Sequence, residues 1–218
     1  MNASSAFYLA GYLVGAAAFA SMAWRRKLFT EGVFILMAAG LLGGLAGASL
    51  TQRIVSGSPG KTVLGAIICG YFCVFVAKIV LGIKRPLGDL FAVGLSAGES
   101  VGRLGCFFGG CCYGKLCTLP WAVHQHGDFR HPAQLYLAIS NLTMLIVLIC
   151  VERYKPPENL LFYLQGALYC TARFTIEFFR DSAPARFGLT IAQFGCLFGF
   201  VFFSVKFAQL FHGRKVSI

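Results

Sequence analysis

The sequence predicts an all-α fold, a polytopic membrane helix bundle of about seven transmembrane helices. Composition is the first reason: of 218 residues, 57% are hydrophobic and only 12% are charged, with 22 phenylalanines. A soluble domain of this size carries about a quarter charged residues. Mean hydropathy is correspondingly high, at +0.73. The second reason is length. Seven apolar stretches reach or approach the roughly 20 residues needed to cross a bilayer.

These stretches cover about 6–24, 32–50, 62–82, 88–107, 134–151, 160–179 and 188–209. The first reads as a span rather than a cleavable signal peptide, because no basic residue precedes it and Arg25, Arg26 and Lys27 follow it directly. The segment SGSPG at 56–60 marks a turn between the second and third spans. Pro156 and Pro157 mark a short one between the fifth and sixth. The fourth and sixth spans are the least apolar because they contain charges. No linker, low-complexity tract or internal repeat divides the chain, so a single membrane domain over 1–218 is expected, with one long loop at about 108–133.

Basic residues in the connections set the expected orientation. With the N-terminus outside, the cytoplasmic ends hold Arg25, Arg26, Lys27, Lys84, Arg85, Arg153, Lys155, Arg214 and Lys215. The outer ends hold Arg53, Lys61, Lys115, Arg130, Arg180 and Arg186. The asymmetry favours N-terminus outside and C-terminus cytoplasmic. The net charge of +11 is partly this topology and partly suited to anionic lipid. Nothing in it makes a case for nucleic acid.

Ionisable groups inside a membrane are costly and need a reason. The fourth span contains Glu99 and Arg103, and the sixth contains Arg173 and Glu177 in the opposite order, followed by Arg180. Four residues of helix rise about 6 Å, so two crossed ion pairs between neighbouring helices are the expected arrangement. One reading is mutual neutralisation, stapling two helices. The other is a polar cavity whose arginines grip phosphate in a bidentate fork at the level of lipid headgroups. Both can hold together.

The stretch GRLGCFFGGCCYGKLC at 102–117 and the segment RHPAQLY at 130–136 flank the long loop. Cys69, Cys73, Cys150, Cys170 and Cys196 lie within spans and read as small buried hydrophobes. Cys106, Cys111, Cys112 and Cys117 lie near the outer surface, where disulfides are permitted. Their C-x4-C-C-x4-C spacing, followed by His124, His126 and His131, matches no common zinc knuckle. Bracing disulfides, simple packing against glycines, a metal site, and a nucleophile at Cys111 or Cys112 activated by Arg103 are all open, with structural roles favoured. Pro132 suits the first turn of a helix. His131 offers proton transfer near neutral pH or a capping role, and Tyr136 an interfacial anchor or a substrate contact beside Gln134.

Three segments in order, VGRLGCFFGGCCYG at 101–114, RHPAQLY at 130–136 and RFTIEFFRDSAP at 173–184, with GLTIAQ at 188–193, resemble the bacterial prolipoprotein diacylglyceryl transferase family from about residue 58 onward. The resemblance implies a seven-helix enzyme of the bacterial inner membrane. Such an enzyme moves a diacylglyceryl group from phosphatidylglycerol to a cysteine thiol of a preprolipoprotein and releases glycerol phosphate, at a site facing the outer leaflet. It implies phosphate binding by Arg103 and Arg173, with Glu177 orienting and Arg180, Gln134, Tyr136 and Gly114 in the site. Arg103, Glu177, His131 and Cys111 are the candidate catalytic residues. No cofactor or metal is implied. The chain departs from the family at Cys106 and Gly109, where asparagines stand, at Cys111, where a glutamate stands, and at Leu64, which falls at a histidine proposed to act on the thiol. These departures admit a different acceptor or a cysteine nucleophile. The rival classes are a membrane redox or metal protein using the Cys/His loop, and a small-anion transporter, against which the lack of repeat symmetry counts.

Overall fold

A computed structural model describes residues 2–56 and 63–216. Among the described residues seven helices follow one another: α1 (Ala3–Arg25), α2 (Glu31–Ser56), α3 (Val63–Val80), α4 (Gly88–Phe108), α5 (Ala133–Glu152), α6 (Leu160–Glu177) and α7 (Ile191–Val216). The all-α expectation holds, with one small addition. A two-stranded antiparallel hairpin, β1 (Val123–Gln125) and β2 (Asp128–Arg130), folds the long loop. Among the described residues four helices, α1, α2, α5 and α7, are long and apolar enough to cross a membrane by length and composition, and a shorter apolar helix covers Gly65–Val80. The charged α4 and α6 fall short of that test, as their composition dictates. Large side chains such as Phe198, Val80 and Ile54 are exposed to the surroundings, as lipid contact requires.

The chain divides into two compact units, Met1–Ala18 with Leu87–Ile218, and Phe19–Pro86. In the second, α2 and α3 pack through small residues: a Cβ on Gly47 would strike Cys69, and one on Gly43 would lie 2.6 Å from the Cys73 sulfur. Cys69 and Cys73 are thus packing residues, though only partly buried. Leu64 opens α3, but its side chain lies outside the described residues, as do Lys61 and most of the SGSPG turn.

In the first unit, α4 is anchored against the start of α1 by glycine. An added Cβ on Gly11 would lie 2.9 Å from the Gly98 carbonyl, and one on Gly15 would lie 2.9 Å from that of Gly94. The Ser4 hydroxyl donates to the Gly105 carbonyl at 2.8 Å. Backbones this close exchange dispersion contacts and replace the missing hydrophobic drive between lipid-embedded helices. Cys170 and Cys196 are buried free thiols that hydrogen-bond to each other between α6 and α7. Cys150, expected to be buried, is exposed instead. It lies in the last turn of α5.

The starts of α4 and α6 are locked together by a device the sequence reading missed. The buried Asp89 carboxylate accepts the Asn159 and Phe162 amides, each at 3.0 Å, and Asn159 Oδ1 accepts the Gly88 amide at 2.9 Å. Asn159 adopts φ 66, which asparagine tolerates better than most residues. An anion at a helix N-terminus satisfies orphan amides and complements the dipole. This lock fixes the depths of the charges on α4 and α6. Asp89→Ala leaves these N–H groups unpaired in the interior, so it is expected to destabilise by about 2–4 kcal/mol. A lowered midpoint for aggregation on heating in detergent would register it, with Asp89→Asn intermediate; equal midpoints would sink the assignment.

Candidate active site

Helix periodicity brings the buried charges to one level, but not in the expected crossed pairs. Arg103 Nη2 donates to Glu99 Oε2 at 3.2 Å within α4. Arg173 pairs with Glu177 within α6, and Arg180 Nη1 donates to the same Glu177 Oε2 at 3.1 Å. Partners at i,i+4 or i,i+3 on one helix already meet, so the local pairs win over cross-helix ones. The helices are linked by neutral groups instead. Asn141 of α5 donates to Glu99 Oε2 at 3.3 Å, and Tyr169 of α6 lies within electrostatic range of Glu99, Arg103 and Arg173. Neither residue stood out in the sequence, since an Asn or Tyr in a span has many uses.

Glu177 is the centre of this arrangement, its side chain only 3% exposed. Its second oxygen, Oε1, accepts the Thr190 hydroxyl at 3.3 Å. Thr190 also caps α7. Its amide donates to Gln193 Oε1 at 2.9 Å, and the Gln193 amide donates back to Thr190 Oγ1 at 3.3 Å, a reciprocal capping box. The GLTIAQ segment therefore starts α7 at Ile191, three residues later than hydropathy indicated, and ties that start to the ion cluster. Three guanidinium groups face two carboxylates, leaving one formal positive charge in a mostly buried site. Arg103 bonds to Glu99 alone, and buried Arg180 Nε has no hydrogen-bond partner among the described residues.

The long loop covers these charges as a folded structure. Gly114 bridges to Arg180, and Leu116 to Arg130, so residues 113–117 run between the end of α6 and β2. Lys115 donates to the Phe179 carbonyl at 2.9 Å, Asp181 to Tyr113 at 3.2 Å, and His131 to Lys115 at 3.0 Å. Arg130 organises the outside of this layer. It pairs with Asp181 at 2.9 Å, donates to the Gly114 carbonyl at 3.3 Å and lies over the Tyr113 ring. The hairpin turns at His126 and Gly127, both at positive φ as a tight two-residue turn requires.

That hairpin holds the turn after α4. Gln125 Nε2 donates to the Phe107 carbonyl at 3.3 Å, His126 Nε2 lies 2.6 Å from the Gly110 carbonyl, and Gln134 Nε2 donates to the Cys111 carbonyl at 2.8 Å. Gln134 gives its other N–H to Gln125 at 3.2 Å. Both donors of the fully buried Gln134 are thus engaged, which makes it a positioning residue for the cysteine turn rather than a direct phosphate contact. His131 Nδ1 lies 3.2 Å from the Tyr136 hydroxyl, which also accepts Trp121 Nε1 at 2.9 Å. Both rings meet Phe179 edge to face.

The four outer cysteines separate. Cys117 is buried and accepts the Leu119 amide at 3.4 Å. Cys106, Cys111 and Cys112 converge, their sulfurs all within 4.8 Å of one another. The Tyr8 hydroxyl donates to the Cys106 sulfur at 3.2 Å. Bonding to Cys106 and Cys112, together with burial, pushes the Cys111 thiol up. Cys112 is pulled well down by bonds from Cys106 and Cys111 and by the charges of Arg180 and Arg103, against the effect of burial. The cysteine turn and the arginine cluster therefore adjoin.

Apolar helices around a mostly buried, net-cationic polar cluster under a folded loop define a helical membrane protein. A family model described as prolipoprotein diacylglyceryl transferase matches residues 3–208, and the chain belongs to that family. Among its relatives, a phosphatidylglycerol–prolipoprotein diacylglyceryl transferase of Campylobacter lari is 33% identical over 63% of this chain and 49% of its own length. One of Geobacter sulfurreducens is 33% identical over 71% of this chain and 61% of its own. A third, of Clostridium tetani, is 28% identical over 80% and 79%. The chain thus spans about half to three-fifths of the first two relatives.

Proposed function

We propose that the protein transfers the diacylglyceryl group of phosphatidylglycerol to a cysteine thiol of a preprolipoprotein, at the outer leaflet of a bacterial inner membrane. The single observation that carries this is the excess positive charge of the Arg103–Glu99 and Arg173–Glu177–Arg180 cluster. One net positive charge matches the single negative charge of a phosphodiester headgroup. The reacting thiol loses its proton, a carbon–sulfur bond forms to the glycerol carbon, and the carbon–oxygen bond to phosphate breaks. The departing glycerol phosphate gains negative charge as it leaves. Guanidinium groups already in place stabilise that change without reorganisation. Arg103 and Arg173 bind the phosphate, Arg180 supports it, and Glu177 orients two of the arginines. His131, hydrogen-bonded to Tyr136, accepts the thiol proton in place of the histidine that Leu64 replaces. Gly114 holds the loop over the site. The distribution of basic residues, which favours an N-terminus outside and a cytoplasmic C-terminus, supports a site on the outer side.

The test uses the purified chain, phosphatidylglycerol vesicles and a lipobox peptide. A diacylglyceryl mass increase on the peptide with stoichiometric glycerol phosphate is expected. Arg103→Ala is expected to lower the rate by about 10²-fold, and Arg103→Lys to recover only part, having charge but no fork. Glycerol phosphate release from an unmodified peptide would retain the donor and reject the acceptor. Neither product, with an active relative present as control, would reject the transferase reading.

A further inference from the structure

We propose that Cys106, Cys111 and Cys112 form a binding site for one soft monovalent metal ion, Cu(I), beside the proposed lipid site. The three sulfurs lie within 4.8 Å of one another. A trigonal ion bound at about 2.3 Å, the zinc–thiolate length, needs sulfurs about 4 Å apart, so side-chain rotation alone closes the site. The sequence spacing hides this arrangement. Cys106 lies in the last turn of α4, the chain reverses at Gly110 with φ 65, and Cys112 adopts φ 59, which few residues other than glycine take up. That reversal turns a five-residue separation into a three-sulfur cluster. Its backbone is held from outside by Gln125, His126 and Gln134, so the turn is preformed.

Ligand type and number select the ion. Three soft thiols suit Cu(I), whereas structural zinc takes four ligands, and no histidine or carboxylate joins the cluster among the described residues. Cys117 is occupied elsewhere, His124 packs on Phe129, and His126 serves Gly110. Binding replaces three S–H bonds by three metal–sulfur bonds, releases three protons to solvent and leaves copper as Cu(I). The resulting tris-thiolate complex carries two negative charges. Arg103 and Arg180, both close enough to Cys112 to act on it electrostatically, offset them. Cys111 is exposed, which gives the ion an entrance.

The experiment is anaerobic loading of the purified full chain with Cu(I), competition against an excess of bathocuproine disulfonate, and X-ray absorption at the copper edge. One retained copper per chain with three sulfur neighbours is expected. Cys111→Ser should weaken retention by more than the roughly 10–100-fold that loss of a mere outer-shell partner costs. Cys112→Ser should do the same, while Cys117→Ser and Cys150→Ser should leave it unchanged. Cys111 is exposed, so its variant should keep the wild-type elution profile and separate ligand loss from misfolding. Retention equal in all four variants would overturn the site. So would a fourth nitrogen or oxygen ligand, tighter zinc than copper retention, or mass-spectrometric proof of a disulfide among the three in anaerobically prepared protein. Transferase activity does not enter these readouts, so failure of this site and of the proposed reaction are distinguishable.

Discussion

Glu177→Gln is expected to lower the stability of the protein by about 3–5 kcal/mol, the usual result of removing one partner from a buried ion cluster. Oε2 of Glu177 receives both Arg173 and Arg180. Glutamine replaces a full negative charge by a neutral amide, and an amide N–H placed there would face two guanidinium groups. Two buried cations would then share no counter-ion. The Thr190 bond to Oε1 weakens in the same step, so the start of α7 loosens as well. Glu99 offers the control. Its side chain is 32% exposed and it pairs with one arginine, so Glu99→Gln should cost well under half as much. For a protein of this length the larger loss corresponds to a fall of roughly 10 °C in thermal midpoint. Size-exclusion recovery after graded heating in detergent measures it. A Glu177→Gln midpoint no lower than that of Glu99→Gln would disprove the central role assigned to Glu177.

Gly114→Val should have a comparable effect through sterics alone. A Cβ built on Gly114 would stand 2.6 Å from the His131 Cβ and 2.8 Å from the Phe179 carbonyl oxygen. The obstruction includes main chain on both sides, so no side-chain rotation relieves it. The loop strand must lift, breaking the Lys115–Phe179 and Asp181–Tyr113 bonds and moving Arg180 away from Glu177 and Cys112. At least ~3 kcal/mol of destabilisation follows, the upper range for overpacking a rigid site, with the proposed transferase activity lost. Trypsin cleavage at Lys115 should accelerate sharply. Gly102→Ala is the contrast, because nothing lies within 4 Å of an added Cβ there. In a helix interior that change should be neutral or stabilise by about 0.5–1 kcal/mol. Resistance of Gly114→Val to trypsin equal to that of Gly102→Ala would refute the wedge argument.

These contrasts indicate what a linear reading can reach. Glu99, Arg103, Arg173, Glu177 and Arg180 announced themselves because a charge inside an apolar run is costly wherever the helix goes. Their partners did not, because pairing depends on which neighbour is nearest, and a residue one turn away on the same helix is nearer than the adjoining helix. Gly114 was legible only through resemblance; its steric reason needs Phe179 and His131, which lie 65 and 17 residues further along the chain. Arg130 looked like one more outer basic residue, yet its ion pair with Asp181 spans 51 residues. Asp89 carried no signal in the sequence, because the amides it accepts, from Asn159 and Phe162, lie 70 and 73 residues further along.

By itself the sequence determined that this protein is a helical membrane bundle, how many helices it has, which of them carry charge, and its family. The first three rest on local composition and period, properties a helix keeps regardless of its neighbours; the family rests on ordered motifs, which are local as well. Only the tertiary structure decided how the cations and anions pair, why the signature glycine must be glycine, and that three of four outer cysteines meet. Those outcomes depend on distances between residues remote in the chain. Such distances are set by helix starts, glycine contacts and a folded loop, which leave no periodic trace in the sequence.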